Sequence, residues 1–338
     1  MTEQNRQIRL ARRPVGLTDA ETWEHVSGPL PAPAEGEVLV RTLYLSIDPA
    51  MRGWLNEGRS YLPPVQIGEV MRALGIGQVI AGEANGFKPG DLVSGMLGWQ
   101  QFCACKARGL NPVDPDLAPP VQWLSALGMT GMTAYFGLLD VGRPAAGETV
   151  LVSAAAGAVG SIVGQIARLK GARAVGIAGG PEKCELVRDT FGFDACIDYK
   201  SGESLNRAVR DACPDGVHVY FDNVGGDLLD AALRRLARGA RVVLCGAIST
   251  YNDTAPSPGP AHYMSLLVNR ARMEGFIVFD YADRYAEAQR EIAGWLRDGR
   301  LVSREHIVEG LAAAPEALNM LFKGENQGKL IVRVGTEA

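Results

Sequence analysis

Two glycines three residues apart, Gly157 and Gly160, follow an apolar run at 149–152. After them, apolar residues recur at helical spacing, and a second apolar run occupies 173–177. The pattern predicts a strand, a glycine-containing turn, a helix and a second strand. In such a unit, backbone N–H groups and the helix N-terminus can approach a pyrophosphate. The turn therefore predicts a dinucleotide site, and an α/β unit without a nucleotide is the alternative.

The end of the second predicted strand indicates which dinucleotide would bind. NAD-binding units usually place Asp or Glu there, about 20 residues after the first glycine, to bond the ribose 2′-OH. Here residues 178–181 are Ala-Gly-Gly-Pro, and Lys183 follows Glu182. A carboxylate would repel a 2′-phosphate, whereas a lysine attracts it. The sequence therefore favours NADP(H), with an ordinary exposed lysine at a helix start as the alternative explanation of Lys183.

Length and composition limit the class of protein. The chain has 338 residues, which suits two domains, and its net charge of −4 gives no electrostatic case for nucleic acid or an anionic membrane. Its six cysteines and four histidines are scattered, and Cys103 and Cys105 lack the spacing of a zinc clip. No secretory signal is evident. We therefore expect no metal site, free thiols and a cytoplasmic location.

Two regions differ in their patterns. Before about residue 125, strand-like runs such as 37–48, 75–81 and 91–105 are broken by Gly and Pro, which predicts an irregular β-barrel-like domain. After it, strands alternate with helices, which predicts a doubly wound parallel sheet. Within that region we predict a helix at 228–238 and a strand at 272–281. The tail, from about 306, is expected to return to the first domain.

The motifs SIDPAMRG, GMTGMTAYFGLLD, FDNVGG, CGAISTYN, RMEGF and KGENQGKLIV follow this layout in order. Together they resemble the zinc-independent branch of the medium-chain dehydrogenase/reductase superfamily. That branch contains leukotriene B4 12-hydroxydehydrogenase/prostaglandin reductase, plant alkenal double-bond reductases and bacterial curcumin reductase-like proteins. The resemblance covers essentially the whole chain. It implies an α/β fold with a Rossmann NADP-binding domain at 128–307 and a GroES-like irregular β-barrel domain at 1–127 and 308–338.

The resemblance also implies an activity and its partners. The reaction would be NADPH-dependent, metal-independent reduction of the C=C bond of α,β-unsaturated aldehydes and ketones. The partners would be a small enone or enal and a second copy of the chain, in a homodimer. Relatives commonly carry tyrosine where this chain has Ala50, on the substrate side. A quinone reductase of the same superfamily and a non-catalytic NADPH-binding protein are the alternatives.

Site residues follow from the same resemblance. The residues expected to contact the cofactor are Met129, Thr133, Gly157, Ala158, Val159, Gly160, Lys183, Tyr199, Asn223, Cys245, Gly246, Ala247, Ile248, Ser249, Thr250, Tyr251, Phe276, Ile277, Val278 and Asn326. From local pattern alone, Asn223 and Asn326 are typical of turns, and 276–278 is typical of a buried strand.

The reaction class indicates what a catalytic side chain must do. Hydride transfer to the β-carbon would leave negative charge on the carbonyl oxygen as an enolate, which needs hydrogen-bond donors. Tyr251 is the expected catalytic residue because its phenol can donate, and packing or cofactor contact alone is the alternative. Tyr61 and Tyr263 are further candidates.

Overall fold

The computed structural model describes residues 3–58 and 60–335. The chain divides into two compact units. Unit 1 comprises Met1–Leu124 and Glu305–Ala338, and unit 2 comprises Ser125–Arg304. The boundaries predicted for the GroES-like and Rossmann domains, after residues 127 and 307, stay a prediction.

Strands and helices of the described residues are numbered in chain order. The strands are β1 Gln4–Leu10, β2 Trp23–Pro29, β3 Glu37–Ser46, β4 Leu74–Ala81, β5 Leu92–Met96, β6 Phe102–Lys106, β7 Asn111–Pro112, β8 Thr149–Ser153, β9 Arg173–Ala178, β10 Ala195–Asp198, β11 Val217–Asp222, β12 Leu236–Leu244, β13 Arg272–Gly275, β14 Glu305–Glu309 and β15 Lys329–Arg333. The helices are α1 Ala50–Trp54, α2 Met129–Phe136, α3 Ala158–Leu169, α4 Pro181–Glu185, α5 Leu205–Ala212, α6 Gly226–Leu233, α7 Met264–Asn269, α8 Tyr285–Arg297 and α9 Ala314–Lys323.

Unit 1 is built around β3. One edge of β3 pairs with β4, and the other edge pairs first with β6 and then with β15. Where β3 and β4 shift register, Gly77 leaves room for the neighbouring backbone, since a Cβ there would lie 2.4 Å from the Arg41 carbonyl oxygen. The predicted strand at 91–105 is wrong in extent, because a turn that includes Gly98, with φ +72°, separates β5 from β6.

The sheet of unit 2 runs β10-β9-β8-β11-β12-β13 across the described residues, and every neighbouring pair is parallel. Counted from β8, this order is 3-2-1-4-5-6, the order of the dinucleotide-binding doubly wound sheet. All residues of β8 are buried, as expected for a strand covered on both faces. The predicted fold class is confirmed.

Two predicted elements of unit 2 are wrong in extent. The helix predicted at 228–238 ends at Leu233, because Leu236 already pairs with Val217 in the sheet. The strand predicted at 272–281 ends at Gly275, since β12, its neighbour, offers no pairing beyond Leu244. The chain then forms a short 3₁₀ helix over Val278–Arg284.

Candidate functional site

The turn between β8 and α3 lies where the order of the parallel sheet reverses, between β8 and β11. Gly157 caps α3 without a side chain, so the first helical N–H groups have no side-chain partner at the cap. A Cβ on Gly160 would lie 2.3 Å from the Ala154 carbonyl oxygen, and one on Gly157 would lie 3.1 Å from it. The turn is therefore close-packed below the helix N-terminus, which can accept a phosphate.

Ala154 occupies the left-handed region in this turn, with φ +51°. That conformation favours glycine, so an alanine here stores strain of about 1 kcal/mol. The sequence shows alanine where a glycine is common, and the structure shows that the backbone keeps the glycine-like conformation. The departure from the usual glycine pattern therefore leaves the shape of the turn intact.

The end of β11 is tied to the end of β8 by Ser153 and Asn223. The Asn223 backbone N–H donates to Ser153 Oγ at 2.8 Å, and Asn223 Nδ2 donates to the Ser153 carbonyl oxygen at 2.8 Å. Asn223 thus has the turn role that its local pattern suggested. Its predicted cofactor contact stays a prediction.

Asp222 organises the turn that follows β11. Its Oδ1 accepts hydrogen bonds from Ser153 Oγ at 3.1 Å, Tyr220 OH at 2.9 Å and the Val224 and Gly225 N–H groups at 3.0 and 2.9 Å. Its Oδ2 is buried and has no hydrogen-bond partner. Burial raises the pKa of this carboxyl group, although the two backbone N–H groups act in the opposite direction.

The segment after β12, which contains residues 245–251, packs on the same turn. The Ile248 N–H donates to the Asn223 carbonyl oxygen at 3.2 Å, and Ser249 Oγ donates to the Val224 carbonyl oxygen at 2.6 Å. Burial raises the pKa of the Cys245 thiol to about 12, so this thiol stays protonated. The structure therefore brings the predicted 245–251 segment next to Asn223 at the carboxyl ends of the central strands.

The predicted catalytic residue, Tyr251, folds back over its own segment. Its hydroxyl oxygen accepts the Ala247 N–H at 3.2 Å, and a Cβ on Gly246 would lie 3.0 Å from that oxygen. A phenol that accepts one hydrogen bond can still donate its own proton. The geometry is therefore compatible with both roles considered for Tyr251.

Lys183 lies in α4, which follows β9, and Tyr199 directly follows β10. Tyr199 covers Gly179, where a Cβ would come within 2.9 Å of the phenol ring. Asp198 holds this corner, since its Oδ1 accepts the Gly180 N–H at 2.8 Å and the Lys200 N–H at 2.9 Å. The residues of this corner come from the segment that follows β9 and from the end of β10 and the loop after it. Their spacing along the sequence does not show that they meet.

Two lysine ammonium groups lie at this corner, which also holds the Asp198 carboxylate. Burial first, and the nearby Lys200 second, lower the pKa of Lys183. The Lys200 ammonium also lies 5.8 Å from the centroid of the Tyr199 ring. Because two neighbouring ammonium groups repel each other, an anion between them would relieve the repulsion. The residues present therefore fit the 2′-phosphate of NADP(H). The sequence pointed to Lys183 but not to Lys200, which lies beside it.

The predicted residues of α2 and the segment after β13 also meet. Tyr285 OH donates to the Val278 carbonyl oxygen at 2.9 Å and lies 3.7 Å from Met129 Sδ. Thr133 Oγ1 donates to the Met129 carbonyl oxygen at 2.8 Å. Tyr285 was not singled out from the sequence, because nothing local distinguishes it from other tyrosines on a helix.

Phe276 and Ile277 lie between β13 and the 3₁₀ helix rather than in a strand. The Phe276 ring packs edge-on against Phe221, with 6.4 Å between centroids. A Cβ on Gly137 would lie 2.5 Å from the Phe276 ring. The position of this aromatic side chain is therefore set by close packing, and its predicted place beside the nicotinamide stays a prediction.

Asn326 belongs to unit 1, in the turn between α9 and β15. Its Nδ2 donates to the Gly328 carbonyl oxygen at 3.0 Å, within the turn. Its predicted reach to the cofactor stays a prediction.

Comparisons with known proteins decide the family. Residues 6–113 match the family described as the N-terminal domain of oxidoreductase, and residues 158–294 match the family described as zinc-binding dehydrogenase. NADPH-dependent curcumin reductase from Escherichia coli (strain K12) is 41% identical over 337 residues, 98% of this chain and 97% of that protein. The 2-alkenal reductase (NADP(+)-dependent) of Nicotiana tabacum is 40% identical over 304 residues, 89% and 88% of the two chains. The chain belongs to the medium-chain dehydrogenase/reductase superfamily.

A solved structure supports the same placement. CurA from Vibrio vulnificus, in complex with NADPH, is 44% identical, with coverage of 98% of this chain and 100% of that chain and a TM-score of 0.93. The predicted branch of the medium-chain dehydrogenase/reductase superfamily, with curcumin reductase and alkenal reductase, is confirmed.

The name of one matched family mentions zinc. Within residues 3–58 and 60–335 of this medium-chain dehydrogenase/reductase, no three His, Cys, Asp or Glu side chains are grouped to hold a metal. All six cysteines are free thiols. Over the same residues, no helix combines the length and apolar character needed to cross a bilayer.

Proposed function

We propose that the chain reduces the C=C bond of α,β-unsaturated aldehydes and ketones with NADPH. It is an NADP(H)-dependent oxidoreductase, as the NADP-dependent relatives in its branch indicate. The observation that carries the cofactor assignment is the paired charge of Lys183 and Lys200 beside Tyr199. The substrate class is supported by the names of the relatives, which include a curcumin reductase and a 2-alkenal reductase.

Each part of unit 2 has a separate task in this proposal. The N-terminus of α3, above the turn at Gly157 and Gly160, holds the pyrophosphate. Lys183, Lys200 and Tyr199 hold the 2′-phosphate. The segment 245–251, together with Met129 and Val278, orients the remainder of the cofactor. Tyr285 contacts both of these residues. In unit 1, we assign Asn326 to cofactor binding and the segment that contains Ala50 to substrate binding.

NADPH, when bound, supplies the hydride for the β-carbon of the substrate. The chain itself must orient the enone, exclude water and donate a hydrogen bond to the carbonyl oxygen, where negative charge develops. Tyr251 is our candidate for that donor, because a phenol hydroxyl can donate a hydrogen bond and this one lies in the 245–251 segment, against the Ala247 N–H.

The deciding experiment measures NADPH oxidation with a 2-alkenal, an aryl enone and a quinone, with NADH as the control cofactor. We expect turnover of the alkenal or the enone, with NADPH preferred. Turnover of the quinone alone would move the activity to the quinone reductases of the superfamily. NADPH binding without oxidation by any of the three would favour a non-catalytic protein.

Tyr251→Phe tests the donor role. Removing a hydrogen-bond donor from a developing oxyanion typically lowers kcat by about 100- to 1,000-fold, and we expect that loss with the Michaelis constant for NADPH nearly unchanged. A higher Michaelis constant for NADPH with normal kcat would show instead that Tyr251 shapes the cofactor groove through Ala247. Tyr44→Phe, at a half-buried side chain of β3 in unit 1 with no proposed role, is the matched control.

The homodimer and the cytoplasmic location are part of the same proposal. β13 is an edge of the sheet of unit 2 over the described residues, and the neighbouring α7 exposes Met264, Leu267 and Val268. An unpaired strand edge beside exposed apolar side chains favours association with a second copy. Fractionation of the producing cells would test the location.

A further inference from the structure

Lys329, the first residue of β15, is buried in unit 1, with 1% of its surface exposed. Its Nζ donates to the Ile47 carbonyl oxygen at 2.8 Å and to Asp48 Oδ1 at 2.6 Å. The other carboxylate oxygen of Asp48 accepts a hydrogen bond from Ser46 Oγ. Lys329 therefore carries its ammonium inside the unit, held by a carboxylate and a carbonyl group.

Stability alone explains this contact poorly. Removing two charges from water opposes folding, and apolar side chains of similar volume often give equal or greater stability. A fixed register is the better explanation. The ladder pairs Ile331 with Ser46, and continuing that register places Lys329 directly opposite Asp48. A slip of one residue would turn the ammonium away from its partners.

The two partners belong to segments with roles in the proposed function. Asp48 precedes α1, which begins at Ala50, on the side assigned to the substrate. Lys329 directly follows the turn that contains Asn326. In that turn, the Asn326 side chain donates a hydrogen bond to the Gly328 carbonyl oxygen. One buried ammonium thus joins the segment assigned to the substrate and the turn assigned to the cofactor.

We propose that Lys329 is a positioning residue that fixes the α1 segment and the Asn326 turn relative to each other. Substrate binding and cofactor binding then depend on one buried contact in unit 1. The proposal rests on the proposed function for the roles of the two segments, whereas the contact itself does not depend on it.

Lys329→Met keeps the apolar stem and removes the ammonium. We expect the Michaelis constants for the enone and for NADPH both to rise and kcat/KM to fall about 100-fold, as for a misplacement of about 1 Å. Hydrogen–deuterium exchange should increase together at 48–56 and 324–328. Lys323→Met is the matched control, because Lys323 Nζ lies 2.7 Å from Glu316 in a pair whose side chains are 41% and 63% exposed. It should leave both readouts unchanged.

A second variant separates positioning from folding. Asp48→Asn combined with Lys329→Met leaves no buried unpaired charge and should keep the free energy of unfolding near that of the wild type. A persistent loss of kcat/KM in this variant supports positioning, whereas wild-type kinetics would overturn it. Increased exchange at only one of the two segments would also overturn it. If the wild type reduces no enone, the proposed function is wrong, and the exchange data still decide the role of Lys329.

Discussion

At the scale of single residues, the proposed role of Lys183 in cofactor choice can be tested directly. Lys183→Ala would remove one proposed partner of the 2′-phosphate. A charge-assisted hydrogen bond contributes about 1.5–3 kcal/mol, so we expect the Michaelis constant for NADPH to rise about 10- to 100-fold. The constant for NADH, which lacks that phosphate, should change little. Steady-state kinetics with both cofactors measure the effect.

Lys106→Ala provides the control for this change, because Lys106 is an exposed lysine of unit 1. An unchanged ratio of NADPH to NADH efficiency in Lys183→Ala would contradict the assignment of the 2′-phosphate to this corner.

Asp222 predicts a dependence of stability on pH. Burial raises the pKa of its carboxyl group, so the folded state holds the proton more tightly than the unfolded state does. The stability from this group is therefore present at acidic pH and is lost as pH rises through the raised pKa. Asp222→Asn keeps an acceptor for the Val224 and Gly225 N–H groups and cannot ionise. Its free energy of unfolding should improve relative to the wild type as pH rises.

Urea unfolding of both proteins at acidic and neutral pH measures this difference. A constant difference across the range would mean that Asp222 titrates in the folded protein as it does in the unfolded chain.

At the scale of elements, the close approach of α3 to its preceding turn distinguishes the two glycines. Gly160→Ala places a Cβ 2.3 Å from the Ala154 carbonyl oxygen, so the helix must shift. Overpacking of this kind costs about 1–3 kcal/mol of stability, and the displaced helix N-terminus should also bind NADPH more weakly. Gly157→Ala meets the same oxygen at 3.1 Å and should be milder in both respects. Thermal unfolding and NADPH titration compare the two variants, and equal effects would argue against a role for helix–turn packing.

The same elements show what the sequence could predict. The turn at Gly157 and the lysine after the second strand are local signals, and the fold class followed from alternating strands and helices. By contrast, the two hydrogen bonds between Ser153 and Asn223 join the ends of β8 and β11. These bonds can form only because β8 and β11 are neighbours in the sheet. Asp198 and Tyr285 likewise act across elements, so spacing along the chain could not identify them.

The strand predicted at 272–281 failed for a related physical reason. An apolar run predicts that a segment can enter a sheet, but the length of its neighbour decides how much of it does. β13 ends where β12 no longer offers pairing, and the following residues form a 3₁₀ helix instead. Phe276 and Val278 therefore reach their positions through packing that the pattern of apolar residues does not encode.

At the scale of the whole molecule, the exposed side of α7 predicts self-association. Leu267 is 70% exposed beside the edge strand β13. Leu267→Glu would place a charge in the proposed contact between two copies. In light scattering we expect this variant to be a monomer and the wild type to be a dimer. Leu117→Glu, at an exposed leucine of unit 1, should keep the wild-type mass. A monomeric wild type would contradict the homodimer.

The contact between Gly179 and Tyr199 bears on how cofactor preference can evolve. Aspartate at position 179 would displace the Tyr199 ring, because even its Cβ would come within 2.9 Å of that ring. The same change would supply the carboxylate that NAD-binding units place at this strand end. Under the proposed cofactor site, this one substitution would thus weaken NADP(H) binding and strengthen NAD(H) binding. A lineage of such enzymes could exchange its source of reducing power without passing through a form that binds neither.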